Sequence, residues 1–218
     1  MFIVIDGIDG AGKSTQIKLI KKNLESEGKS VKIISYPRYS EDSSFMVHKY
    51  LNGDYGREVG AKQASIFYAI DRFDSSFDLK KDLENYDYII TDRYVSGNMI
   101  HQAGKIQDNK DRDDFLEWLE DLEFNIFNIP RPDKVIFLNI SAKQSMKNTG
   151  NRGGEDKEYI IGDKKQDIHE DDKNHLINAY NSANFVAKKY YWIKIECEEN
   201  GEMKSIEEIN KEIMKEIL

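Results

Sequence analysis

The residues best suited to chemistry form the string Gly7-Ile8-Asp9-Gly10-Ala11-Gly12-Lys13-Ser14, an intact G-x-x-x-x-G-K-S. That spacing suits a polyphosphate. Glycines let a backbone bend around an anion without Cβ clashes, and successive N–H groups at the start of a helix add positive potential. Lys13 would reach the β- and γ-phosphates, and Ser14 would offer an oxygen to Mg2+. With average glycine usage near 7%, the pattern arises by chance in roughly one chain in a hundred of this length. Here it also follows an apolar run and opens a helical one. A merely structural glycine turn is the weaker reading. Residues Gly7, Ile8, Asp9, Gly10, Ala11, Gly12, Lys13, Ser14 and Thr15 are read as a nucleoside triphosphate site.

A second constellation ends the apolar run Tyr88-Ile89-Ile90-Thr91-Asp92, followed by Arg93 and Tyr94. An acidic residue at such a strand end orients Mg2+ or its waters in phosphate-transfer proteins; a helix-capping aspartate is the plain alternative. Arg93 places a phosphate-pairing guanidinium at the strand's carboxyl end, where α/β proteins bind ligands. Arg38, in Tyr36-Pro37-Arg38-Tyr39, and Arg72, in Phe67-Tyr68-Ala69-Ile70-Asp71-Arg72, stand at other element ends. Alone, each is better explained as a surface residue. Tyr68 and Arg72 are i,i+4 neighbours on one helix face, a pairing that suits a nucleobase and equally suits a core tyrosine. The four histidines and single cysteine, Cys197, show no zinc spacing.

These groups need a scaffold. Apolar, β-branched runs at 2–6, 31–36, 88–92, 134–140 and 191–196 read as parallel strands covered on both faces. Helical patterns fall between and after them, at 15–26, 43–51, 60–84, 96–103, 111–127, 172–189 and 205–218. The alternation predicts an α/β doubly wound, five-stranded parallel sheet with right-handed crossovers, in one domain spanning 1–218. Residues 148–172 break that grammar, being glycine-bearing and highly charged. A solvated excursion and a lid over an active site are the two readings of this segment.

Composition narrows the function classes. The 218 residues carry 40 acidic against 32 basic side chains, a formal charge of −8, which argues against a nucleic-acid binder. No apolar run approaches a membrane span, the first residues read as a strand rather than a signal peptide, and one cysteine fits a reducing cytoplasm.

The chain resembles the thymidylate kinase family, within the P-loop nucleoside monophosphate kinases, over essentially its whole length. The resemblance is carried by the segment from Phe2 to Gln16, by Tyr36-Pro37-Arg38-Tyr39, by Phe67 to Arg72, by Asp92-Arg93-Tyr94-Val95-Ser96-Gly97-Asn98, and by Asp167-Ile168-His169-Glu170. It implies the P-loop nucleotide-kinase fold with a lid at 148–172. It also implies transfer of the γ-phosphoryl of ATP to thymidine monophosphate with Mg2+, and a homodimer. Among its implied roles, Lys13, Asp9, Arg93 and Asp92 are catalytic, and Arg152 joins the ATP site from the lid. Ser14 and Asp92 serve the metal, Asp92 directly or through water. Asp9 lies near the acceptor's sugar hydroxyl and phosphate, while Arg38 and Arg93 hold that phosphate. Tyr68 stacks on the base, Arg72 and Asn98 meet its edges, His101 and Gln102 complete the acceptor pocket, and Asp167 and Glu170 form an acidic pair following the lid.

Two departures from the family pattern stand out. His101 replaces an aromatic residue that helps police the sugar, which predicts weaker rejection of ribose. Gly10 occupies a position where some relatives carry an arginine, so a lid cation among Arg152, Lys157, Lys164 and Lys165 would have to serve the phosphates. The alternatives are a kinase for another nucleoside monophosphate or a deoxynucleoside, or a P-loop ATPase or switch. No Asn-Lys-x-Asp guanine motif occurs.

Overall fold

In the computed structural model, residues 1–56, 58–150 and 173–218 are described. Five parallel strands, β1 (Phe2–Asp6), β2 (Val31–Ser35), β3 (Tyr88–Asp92), β4 (Lys134–Asn139) and β5 (Ile193–Glu196), form a sheet of order β2-β3-β1-β4-β5. β1 is central and buried along its whole length. Its side chains alternate between two cores, Ile3 and Ile5 facing one and Phe2 and Val4 the other.

Helices cover both faces. Ile17, Ile20 and Leu24 of α1 (Lys13–Ser26) share the first core with Ile209, Ile213 and Ile217 of α8 (Ile206–Ile217). On the other face Leu79 of α3 (Ala61–Asn85), Val95 and Met99 of α4 (Val95–His101), and Phe115 and Leu119 of α5 (Asn109–Glu120) pack on the sheet. The short helix α2 (Phe45–Leu51) joins α3 in a satellite cluster around Val47, Tyr50 and Ala64. Helix α7 (Lys173–Lys189) packs on α4.

All five strands and the expected helices are found, with ends shifted by a few residues. Three features differ from the sequence expectation. α5 continues directly into a wider π-turn, Asp121–Ile126. A two-stranded hairpin, β6 (Glu198–Glu199) with β7 (Glu202–Met203), precedes α8. A further helix, α6 (Ala142–Gly150), takes in the start of the segment read as a lid. Its buried residues are Gln144 and Ser145, so it carries no apolar period by which to be found.

Candidate active site

Strand order reverses beside β1, and the crevice at the carboxyl ends of β1 and β3 is the usual ligand position in such sheets. Register aligns Ile5 with Asp92, so the glycine loop and the Asp92-Arg93 pair leave the sheet side by side. Gly7 has φ +155°, and a Cβ there would lie 2.6 Å from the Leu138 carbonyl, so only glycine fits the first turn of the loop. α1 then starts at Lys13, presenting its amino terminus to the crevice.

The Lys13 ammonium is buried and donates to the carbonyls of Gly7 (2.9 Å) and Ile8 (3.2 Å), with the Asp9 carboxylate 4.0 Å away. Ser14 and Thr15 stand exposed beside it in the first turn. Arg93 has left-handed backbone, φ +63°, uncommon for a non-glycine residue and typical of functional sites. One guanidinium prong pairs with Asp9, whereas the buried Nε has no partner. Burial disfavours charge on this guanidinium, but Asp9, Asp92 and Asp6 outweigh it and hold Arg93 firmly cationic. Burial would likewise raise the Asp9 carboxyl, yet Arg93 and Lys13 pull it well below the usual range.

Asp92 Oδ1 is also buried without a partner. A hard, unpartnered carboxylate oxygen is the donor chemistry Mg2+ takes, and the exposed Ser14 hydroxyl is a second oxygen of the same kind. Among the described residues no cluster of three or more His, Cys, Asp or Glu forms an all-protein metal cage. The residues present therefore fit the ion.

The residues expected from sequence to meet the acceptor base lie on α3 and α4 and at the end of α4. Tyr68 lies in the satellite cluster, edge-on to Tyr50 at 6.3 Å. Asn98 is buried and donates from Nδ2 to the Ser65 carbonyl at 3.2 Å. Gln102 Oε1 and His101 Nε2 are buried and unpartnered at the carboxyl end of α4. The His101 ring stacks on His175 of α7, with centroids 5.6 Å apart. Burial, aided by the charges of Arg93, His175 and Lys13 and opposed by Asp9, holds His101 neutral to well below its ordinary pKa.

Two arginines are already engaged by protein partners. Arg38 bonds Asp71 (Nε, 3.0 Å), Asp74 (2.5 Å) and Ser43 (2.9 Å). Arg72 is buried against fully buried Glu123 of the π-turn and donates to the Tyr94 carbonyl at 3.2 Å. Arg152, Lys157, Lys164, Lys165, Asp167 and Glu170 lie outside the described residues.

Other participants were not singled out from sequence. Asp6 is fully buried, accepting from the Gly7 N–H at 2.7 Å and the Ser96 hydroxyl at 2.5 Å, and it ties the loop to α4. Burial outweighs the nearby Arg93 and Lys13 and raises its carboxyl above the usual value. An acidic residue ending an apolar strand, as Asp92 does, was the available signal. Asp71, Glu123, Ser145 and Asn148 offered none.

A family model described as thymidylate kinase matches residues 5–195. The chain belongs to the thymidylate kinase family. Thymidylate kinases are ATP-dependent phosphotransferases that convert thymidine monophosphate to the diphosphate, and this activity takes precedence over the ATPase or switch alternative. A probable thymidylate kinase of Thermococcus onnurineus is 34% identical over 158 residues, covering 70% of this chain and 72% of that protein. The thymidylate kinase of Mycobacterium tuberculosis is 29% identical over 145 residues, covering 66% and 67%. In fold, the chain is similar to the thymidylate kinase of Candida albicans, with TM-score 0.72, 18% identity, and coverage of 99% and 90%.

Proposed function

We propose that the loop and Lys13 hold the donor phosphates, that Arg93 and Arg38 hold the phosphate of thymidine monophosphate, and that Mg2+ is held by Ser14 and Asp92. The observation that carries this is at the end of β3: one buried donor, Arg93 Nε, and one buried acceptor, Asp92 Oδ1, both without partners. Buried polar atoms are rarely left so, and an anion and a hydrated cation would satisfy both. Held there, Mg2+ would supply neutralisation of the phosphate charge.

The chain's own residues then do the following. Lys13 exchanges its bonds to the Gly7 and Ile8 carbonyls for phosphate oxygens. Asp9, held ionised, keeps one prong of Arg93 in place, so that Nε meets the acceptor. No general base is required, because a phosphate monoester with a second pKa of about 6 is already largely dianionic at neutral pH. Catalysis is alignment of two anions and screening of their repulsion. Tyr68 supplies the stacking face, Asn98 meets a base edge, and the unpartnered His101 Nε2 and Gln102 Oε1 are left for the acceptor. Arg72, committed to Glu123 and the Tyr94 carbonyl, would have to exchange one of those bonds to reach the base.

The test is ADP release with thymidine, deoxyuridine, uridine and deoxyguanosine monophosphates. Thymidine monophosphate should be the best acceptor. Loss of the 5-methyl group should cost about 1–3 kcal/mol in kcat/KM. His101→Tyr should reject uridine monophosphate more strongly than the parent does. It should also alter acid stability. The unfolded histidine takes up a proton near pH 6.5 and the folded one does not, so stability falls as pH drops below about 6.5. Urea melts between pH 7 and pH 5 should show a shallower fall for His101→Tyr. A purine as best acceptor would overturn the base assignment while leaving the kinase.

A homodimer is part of the same reading. Ile66, Ile70, Phe73 and Phe77 line one stripe of α3, 38%, 41%, 38% and 58% exposed, at the 4-3-4 spacing of a helix-pairing seam. Phe77→Glu should give a monomer by light scattering where the parent is a dimer. A monomeric parent at micromolar concentration would reject the seam. Among the described residues no helix is long and apolar enough to cross a membrane. A cytoplasmic location is proposed from the single cysteine, which is buried and unpaired.

A further inference from the structure

α6 is held to the apex of the glycine loop by polar bonds. The fully buried Ser145 hydroxyl donates to the Asp9 carbonyl at 2.6 Å, and Asn148 Nδ2 donates to the Gly10 carbonyl at 2.9 Å. Both donors are themselves fixed. Gln144 Nε2 donates to Asn148 Oδ1 at 2.8 Å, setting the amide's orientation, and the start of the helix is tied down by Ser141, whose N–H and hydroxyl donate to Glu198 at 2.8 and 3.0 Å. Gly10, at φ +80°, leaves no clearance: a Cβ would lie 3.0 Å from Asn148 Cβ and 3.1 Å from the Ser145 carbonyl.

In a trans peptide the carbonyl and the next N–H point in opposite directions. Among the described residues the one cis bond is Tyr36–Pro37, so the loop peptides are trans. Fixing the Asp9 carbonyl on Ser145 therefore turns the Gly10 N–H away from α6. Fixing the Gly10 carbonyl on Asn148 sets the next peptide, whose N–H closes the turn onto Ile8 at 3.3 Å. Phosphate cradles work by aiming N–H groups before the anion arrives, so that little reorganisation is needed on binding. We propose that Ser145 and Asn148 are positioning residues that preset the loop for the donor polyphosphate, Ser145 by orienting the Gly10 N–H and Asn148 by holding the turn closed by the Ala11 N–H. The inference rests on the reading of this loop as the ATP site.

Asn148 is half-buried, and its removal leaves the sheet cores untouched. Asn148→Ala should raise the KM for ATP and its Kd by calorimetry by about two- to tenfold, as for one lost orienting bond. The KM for thymidine monophosphate should stay within twofold, with kcat at saturating ATP close to the parent's. Ser145→Ala should act in the same direction. Asn148→Asp keeps the size but loses the donor, so it should be at least as damaging as alanine. Normal ATP affinity in Asn148→Asp, or equal loss for both substrates in Asn148→Ala, would overturn the proposal. Failure of the parent itself to bind ATP would instead remove the donor-site reading and this inference with it.

Discussion

Lys13→Ala should lower phosphoryl transfer by about a hundred- to a thousandfold or more while leaving the ligand-free Tm within a few degrees of the parent's. The two halves of that expectation have separate causes. In the ligand-free protein the ammonium makes two bonds to loop carbonyls, but it is a buried charge, and burial foremost pushes its pKa down. Removing it forfeits those bonds and also relieves a desolvation penalty, so the effects on folding largely cancel. With donor and acceptor both bound, the balance changes. In the proposed site the ammonium would face phosphate oxygens whose charge must be screened for two anions to meet. Coupled ADP release and scanning calorimetry on the same preparation separate the two quantities. Near-normal turnover would remove Lys13 from the chemistry.

Arg93→Lys should reduce kcat/KM for thymidine monophosphate by about a hundredfold even though the charge is kept. An ammonium can hold Asp9 or the acceptor phosphate but cannot do both as a fork does. In the present geometry one prong is committed to Asp9 and the buried Nε has no partner, the donor proposed here for the acceptor phosphate. Lysine also meets the left-handed backbone at position 93 with no new steric relief, so the change is read at the guanidinium. Arg93→Ala is the harsher variant and the less informative one. It leaves the carboxylates of Asp9, Asp92 and Asp6 facing one another without the cation that balances them, so folding and binding both suffer. Titration calorimetry with thymidine monophosphate on Arg93→Lys settles the role. Unchanged affinity together with unchanged turnover would reject it.

The proposed donor half of the site could be read from the sequence because a phosphate cradle is local. Its glycines, Lys13 and Ser14 follow one another along a single strand-turn-helix, and no distant contact is needed to recognise the arrangement. The strands were legible for a related reason: a strand buried on both faces must be largely apolar, and Phe2 to Ile5 of β1 are. Ser14 and Asp92, proposed here to hold Mg2+, were singled out from their places at element ends.

The acceptor half depended on tertiary structure. Sequence placed Arg38 and Arg72 near a ligand, but only packing brought Arg38 onto Asp71 and Asp74 and sank Arg72 against Glu123. Glu123 sits in a π-turn whose extra residue follows no apolar period, and its partner lies 51 positions away. α6 was hidden for the same physical reason. A helix held by hydrogen bonds to a loop more than a hundred residues distant needs no apolar stripe, and so leaves no periodic trace. The sequence by itself determined the strands, the phosphate loop and the order of the elements, because these follow from local pattern. Which polar side chains meet across those elements is decided by packing and desolvation. Asp6 with Ser96, Arg93 with Asp9, and α6 with the loop apex join positions that the chain order keeps far apart, and their pairing is enforced when burial makes an unpaired polar group costly.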